Sequence, residues 1–234
     1  MEKNKTFFEC GEANEWFRRN IEALESLSND SIADLLVDWL KPFTAEISEV
    51  LEIGCGSGHR LKKMADSFSA KGFGVEPSFE AIEYIENTFP QIVAKKGFGD
   101  DVPFTQKFDL VHLGFFLYLV DRELYLRCIS EADRLVKFGG FLSIIDFDTP
   151  YPYSNPYTHQ SGVFSHKQNN SDVFVASGLY SVVNKFQFSH SNFFFDKEIN
   201  ERANALKEVK RLCKEFGFTA GMLKGSLAEG RKKS

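Results

Sequence analysis

The stretch Glu49-Val50-Leu51-Glu52-Ile53-Gly54-Cys55-Gly56-Ser57-Gly58 limits what this chain can fold into more than any other. A short apolar strand runs directly into glycines at three alternate positions. Leu61, Met64, Ala65 and Phe68 then recur at helical spacing, and a second apolar run, Gly72-Phe73-Gly74-Val75, ends on Glu76. Strand, glycine turn, helix, strand and terminal acid make a nucleotide-binding βαβ unit. The glycines are needed because a Cβ would block either the turn or the close approach of a ligand. A carboxylate at the tip of the second strand can accept hydrogen bonds from both hydroxyls of a ribose, which narrows the ligand to an adenosine-type cofactor.

Glycine spacing separates the adenosine cofactors. The dinucleotide pattern G-x-G-x-x-G requires glycine where this chain has His59, and no Gly-Lys-Ser/Thr follows to make a phosphate-binding P-loop. The observed E-x-G-x-G-x-G, with acids at Glu52 and Glu76, resembles the first motif of class I S-adenosylmethionine-dependent methyltransferases. The resemblance extends to about residue 148. Gly97-Phe98-Gly99-Asp100-Asp101-Val102-Pro103-Phe104 is similar to the family segment after strand three, Lys107-Phe108-Asp109-Leu110-Val111 to strand four, and Gly139-Gly140-Phe141-Leu142-Ser143-Ile144-Ile145-Asp146 to a glycine turn and strand five. It implies a Rossmann-like α/β fold: a doubly wound, seven-stranded, mostly parallel sheet with helices on both faces and the last strand antiparallel. It implies S-adenosyl-L-methionine as cofactor, held by Glu52, Gly54, Cys55, Gly56, Gly58, Glu76, Pro77, Phe98, Gly99, Gly114 and Phe115. In that scheme Glu52 holds the loop and the methionine amino group, Glu76 binds the ribose diol, and His59 starts a helix beside the cofactor carboxylate. Phe98 stands where the family commonly has an acid for the adenine amino group. A backbone contact near Phe98–Gly99 is therefore expected, with Asp100 or Asp101 as substitutes.

Periodicity predicts an amphipathic helix over 12–27 and another over 31–40, the latter with Ser31 and Asp34 as a capping box and Pro42 just beyond. Ser78 is expected to cap a helix carrying Ile82 and Ile85, and Leu124 to Val136 marks the helix before Gly139-Gly140. Helices and strands alternating at this length require a parallel sheet covered on both faces. The chain divides into an N-terminal helical cap, 1–45, and a methyltransferase domain, 46–234. Within the latter, the Tyr- and Pro-rich segment 149–180 reads as a substrate-side loop or lid, since repeated proline excludes a central strand. Val182–Phe188 alternates as a strand, 198–216 carries a helical stripe, and the last strand falls at 193–195 or around 203–209.

A net charge of −5 makes a polyanion a poor partner, so no nucleic acid is expected. Cys10, Cys55, Cys128 and Cys213 are scattered, which fits reduced thiols in a cytoplasmic setting. No apolar run is long enough for a membrane span, and the start lacks the apolar segment of a signal peptide. No set of residues has a metal-ligand pattern. The expected partner is a small-molecule acceptor.

Methyl transfer from a sulfonium is an in-line displacement in which alignment supplies most of the rate, roughly 7–11 kcal/mol in good intramolecular cases. An alcohol acceptor gains a further factor of about 10²–10⁴ from a base. The candidates are His112, Asp146, Asp148, His159 and His166. His112 also reads as a hydrogen-bonded core histidine, and Asp146 as a brace for the loop after strand five. His159, oriented by Asp146 or Asp148, is the preferred catalytic set. The end of strand four lacks the N/D-P-P-Y/F motif of many amino methyltransferases. Phe115, Phe116 and Tyr118 fall there instead, with Tyr151, Tyr153 and Tyr157 expected to complete an aromatic rim. Gly114–Arg122, Glu131–Leu135 and Tyr153–Tyr157 resemble a bacterial subgroup associated with surface-polysaccharide and glycan biosynthesis. That implies a sugar or nucleotide-sugar acceptor, methylated preferably on oxygen. A nicotinamide-dependent oxidoreductase is disfavoured by His59, and a cofactor-binding module without catalysis is the third reading.

Overall fold

The computed structural model of the chain describes residues 3–26, 31–149, 151–188 and 209–219. Three helices, α1 (Lys3–Phe7), α2 (Ala13–Glu25) and α3 (Ser31–Leu40), precede β1 (Glu49–Ile53). Then follow α4 (His59–Phe68), β2 (Lys71–Glu76), α5 (Phe79–Thr88), β3 (Val93–Lys96), β4 (Phe108–Gly114), α6 (Arg122–Leu135) and β5 (Val136–Ile145). These five strands form one sheet in the order β3-β2-β1-β4-β5, parallel throughout. The order reverses between β1 and β4, so the loops leaving these strands diverge and open a crevice at their carboxyl ends.

The sheet is central because its inner strands β1, β2 and β4 are buried on both faces. Val50 and Leu110 pack with Leu36, Leu61, Met64 and Ile85 on the side of α3, α4 and α5. Leu51, Ile53, Val111 and Leu113 pack with Phe104, Cys128, Ala132 and Leu135 on the side of α6. Ser78 caps α5 as expected, its hydroxyl accepting from the Ala81 N–H at 3.1 Å. Two helices match the periodicity closely: 31–40 without change, and 12–27 as α2.

Three expectations change. Gly139 and Gly140 lie inside β5 rather than in a turn before it, where the pairing with β4 shifts register between Phe108 and Leu110. A Cβ at Gly140 would stand 2.9 Å from the Asp109 carbonyl oxygen, so the irregularity needs glycine. The Tyr/Pro-rich segment is only partly irregular. It forms an antiparallel hairpin, β6 (Tyr153–Pro156) with β7 (Phe164–Lys167), followed by α7 (Asp172–Ala176). Pro156 is tolerated because a two-stranded ribbon is all edge. Val182–Phe188 joins no strand. Of the two places expected for the last strand, 193–195 and 203–208 lie outside the described residues, and residues 209–216 are helical.

By contacts, Met1–Ser181 is one compact unit and Val182–Ser234 a second. In the second, the rings of Phe186 and Phe188 stack at 5.8 Å. Among the described residues no helix is long and apolar enough to cross a membrane.

Candidate active site

The loop after β1 is built on left-handed backbone, with φ of 78° at Gly54, 52° at Gly56 and 76° at Gly58. Only glycine adopts such angles without strain, which is why the alternate spacing is obligatory here. The N–H groups of Gly54 and Cys55 both donate to the Val75 carbonyl, at 2.8 and 3.2 Å, tying the loop to β2. The last residue of β2, Glu76, is buried and accepts from the Gly56 N–H at 3.0 Å through one oxygen and from the Ser78 N–H at 3.1 Å through the other. An acid has thus been placed beside the glycine turn, at the β2 end of the crevice. The Cys55 side chain turns the other way. It packs on Gly74, where a Cβ would lie 2.6 Å from its Sγ, so only the backbone of Cys55 can face a ligand. Gly99 is bare for a different reason: a Cβ there would meet the Phe116 ring at 2.5 Å, and one at Gly54 would meet the same ring at 3.1 Å. Phe116 therefore braces two loops from below instead of joining an aromatic rim.

Beneath the glycine loop lies a row of polar groups. Glu52 on β1, His112 on β4 and Ser143 on β5 are aligned in register. His112 is fully buried, as the core reading supposed, and its Nδ1 is 3.0 Å from the Ser143 hydroxyl. Its Nε2 and Arg60 each lie 3.9 Å from Glu52 Oε1. Gly114 leaves room for this carboxylate, since a Cβ there would sit 2.6 Å from that oxygen.

On the side of β4 and β5, the preferred catalytic set is not assembled. Asp146, just past β5, accepts from the N–H groups of Phe147 (2.7 Å) and Tyr118 (3.2 Å), and so braces the short 3-10 turn Leu117–Leu119. His159 is exposed at the tip of the β6–β7 hairpin, with its ring against Tyr157 at 5.3 Å, and no hydrogen bond joins it to Asp146. Asp148 follows two residues after Asp146 and is partly buried. His166, on β7, bonds through Nδ1 to the Ser154 hydroxyl across the hairpin at 2.8 Å. Phe115, held at φ 60°, packs on Tyr118 at 4.9 Å and Phe147 at 5.3 Å. The Lys167 ammonium sits 3.8 Å above the Phe147 ring. Phe147 thus takes the place expected for Tyr151 and Tyr153, which are exposed and face each other at 6.3 Å. Tyr157 turns to the N-terminal segment, donating to Glu12 at 2.9 Å.

That N-terminal segment is a strap across the loops that follow β1, β2, β3 and β4, and it reaches β7. Lys5 pairs with Asp100 at 2.8 Å and lies 5.2 Å from the Phe98 ring. Asn4 donates from its amide to the Leu119 and Phe164 carbonyls, both at 2.8 Å. Asn14 accepts from the Ser78 hydroxyl at 2.9 Å, Arg18 pairs with Glu80, and Leu24 packs at Gly56. Asp121 holds the front end, taking the Asn4 and Lys5 N–H groups at 3.1 and 2.9 Å. Sequence reasoning missed this role. Asp121 reads as the N-cap of α6, yet it makes no side-chain bond to that helix. Its partners lie 117 and 116 residues away, so no local signal exists.

Burial pushes the Glu76 carboxyl up to about 7, against the two N–H groups that favour its charged form. Burial also raises Asp146 to about 7, against the backbone N–H groups of Phe147, Tyr118 and Leu117. The folded chain therefore keeps protons that the unfolded chain, with ordinary carboxyls, releases. This contribution to stability is fully present below about pH 4 and is lost as pH rises to about 7, on the order of 3 kcal/mol for a group displaced as far as Glu76. Urea midpoints of the ligand-free protein should fall between about pH 5 and 8, and Glu76→Gln should flatten that fall. A midpoint independent of pH in the native chain contradicts it.

Glycine turn, acid-tipped second strand and switch point together make the nucleotide-binding end of a Rossmann-like α/β domain. Residues 50–140 match the family model described as a methyltransferase domain. No curated protein matches the chain. Among solved structures, 1,6-didemethyltoxoflavin-N1-methyltransferase from Burkholderia thailandensis, with its substrate and S-adenosylhomocysteine bound, superposes with a TM-score of 0.55 at 9% identity, over 71% of this chain and 75% of that one. DesVI from Streptomyces venezuelae (TM-score 0.49, 19% identity) covers 59% of this chain, and an amino pentose methyltransferase from Micromonospora echinaspora (0.49, 15%) covers 60%. The chain spans 63% and 64% of the lengths of those two. The family model thus matches the part of the chain that carries most of the four ordered motifs, and the fold is Rossmann-like with five parallel strands among the described residues rather than seven.

Proposed function

We propose that this chain is an S-adenosylmethionine-dependent methyltransferase acting on a small molecule, with a hydroxyl of a sugar or nucleotide-sugar in surface-glycan biosynthesis as the preferred acceptor. The observation that carries the cofactor is the Glu76 carboxylate, pinned against the Gly56 N–H where a ribose diol would lie. The three left-handed glycines give the ligand backbone on one side of the crevice, and Glu52 lies below them for the methionine amino group. The cofactor supplies a methyl group already activated by its sulfonium. The residues of this chain have to align an acceptor with that methyl group, exclude water and take the acceptor's proton. The face made by Phe115, Tyr118 and Phe147 supports a sugar ring stacked at the end of β4, and Lys167 beside it supports an anionic substituent. The buried free thiols Cys55 and Cys128 support a reducing, cytoplasmic setting. Calorimetric titration tests the reading: S-adenosylmethionine and S-adenosylhomocysteine bind and NADH does not. Binding of NADH alone would return the oxidoreductase reading.

We propose His159 as the proton acceptor, the role the sequence pattern gives it; its ring is exposed and engaged by no hydrogen bond among the described residues. His159→Ala should lower turnover of a true acceptor about 10²-fold or more while leaving cofactor affinity within about twofold. Unchanged turnover removes it from the role.

A further inference from the structure

Resting on the donor reading above, we propose that His112 is a positioning residue that sets the Glu52 carboxylate for the amino-acid end of the methyl donor. The row Glu52, His112, Ser143 crosses three adjacent strands on the face that otherwise carries Val50, Leu110 and the apolar stripe of α4. A histidine with 0% exposure in such a layer needs a reason beyond packing, because Leu or Val fills the space without a polar atom to satisfy. One nitrogen is accounted for by Ser143. The other, Nε2, is buried with no hydrogen-bond partner among the described residues. It lies 3.9 Å from Glu52 Oε1, and the Arg60 guanidinium lies at the same distance from that oxygen.

Burial, together with the nearby Arg60 charge, holds the imidazole well below its usual pKa, so the ring is neutral. In the tautomer with its proton on Nε2, Nδ1 accepts from the Ser143 hydroxyl and an N–H stands 3.9 Å from the Glu52 carboxylate. Glu52 is thereby held between a guanidinium from α4 and an N–H donor from β4, at distances that a small movement closes. Gly114, two residues beyond His112, keeps the space in which that movement occurs. None of this touches the Glu76 end of the crevice, so the device acts on one half of the ligand only.

That separation provides the test. S-adenosylhomocysteine carries the α-amino acid, whereas 5′-methylthioadenosine has the same nucleoside and thioether without it. In calorimetry, His112→Leu should weaken S-adenosylhomocysteine about tenfold or more and 5′-methylthioadenosine less than about twofold. His112→Gln, which can still donate, should recover most of the loss. Ser143→Ala should give a smaller loss with the same selectivity, and serves if the leucine variant folds poorly. Equal loss on both probes, or no loss on either, overturns the role of His112 and leaves the donor reading standing. A wild-type chain that binds neither probe overturns both.

Discussion

Glu76→Ala is expected to reduce affinity for S-adenosylhomocysteine by about 10²–10⁴-fold, the largest effect of any single side chain in the crevice. The ribose diol would donate two hydrogen bonds to this carboxylate, each worth about 1.5–3 kcal/mol because the acceptor is charged. Alanine also leaves the buried N–H groups of Gly56 and Ser78 without their acceptor, so the glycine turn keeps only the Val75 carbonyl as its anchor to β2. Glu76→Gln separates the two causes. It keeps the side chain's length and one acceptor oxygen, enough for one of the two N–H groups, so it should hold the turn better than alanine while still losing much of the affinity. A pH arm gives an independent check. With its carboxyl titrating near 7, the charged form falls to a minority at about pH 6, and affinity there should be about tenfold weaker than at about pH 8. The sign is fixed because only the charged form accepts from both hydroxyls. In Glu76→Gln the dependence should vanish. An alanine variant that binds normally, or affinity that rises toward acid, rules out a diol contact at this position.

What the sequence disclosed about this site follows from how local each constraint is. The turn at 54–58 was legible because its backbone angles admit glycine and little else, and Glu76 because a strand end fixes where its side chain emerges. Helix boundaries were legible where capping and periodicity agree, as at Ser78. The roles of Cys55 and Phe116 were not, because which side of a loop a residue faces depends on neighbours from other strands. For Cys55 that neighbour is the bare Gly74, and for Phe116 the bare Gly99. Gly114 was expected among the cofactor residues; what the structure shows is a different need for glycine, since a Cβ there would meet the Glu52 carboxylate on β1. The prolines of 149–180 correctly excluded a central strand, but they said nothing against a hairpin standing apart from the sheet. Asp146 had two readings of equal weight in sequence; its hydrogen bonds to Tyr118 and Phe147 favour the brace.

The strap leads to the second large effect. Asp121→Ala should release the segment 3–12 from the loops it covers. Asp121 is buried and takes two backbone N–H groups, which as charge-assisted bonds contribute about 1.5–3 kcal/mol each. The Asn4 amide and Lys5 remain to hold the segment through Leu119, Phe164 and Asp100, so opening is partial rather than complete. A local opening equilibrium raised by up to about 10²–10⁴-fold follows, read as faster hydrogen exchange at 3–12 with the core strands unchanged. A break is already present in this segment. Gly11 has φ of 128°, which interrupts the helical path between α1 and α2 and gives the front half a pivot while Asn14 and Arg18 hold the rear half. If the strap roofs a bound nucleoside, the same variant should speed ligand release by a similar factor. The association rate should stay nearly constant, because the two hydrogen bonds to Asp121 form only once the segment has closed. Asp121→Asn, which keeps one acceptor oxygen, should fall between. Exchange protection at 3–12 that is identical in Asp121→Ala and the native chain would mean that the strap is held by Asn4 and Lys5 side chains alone.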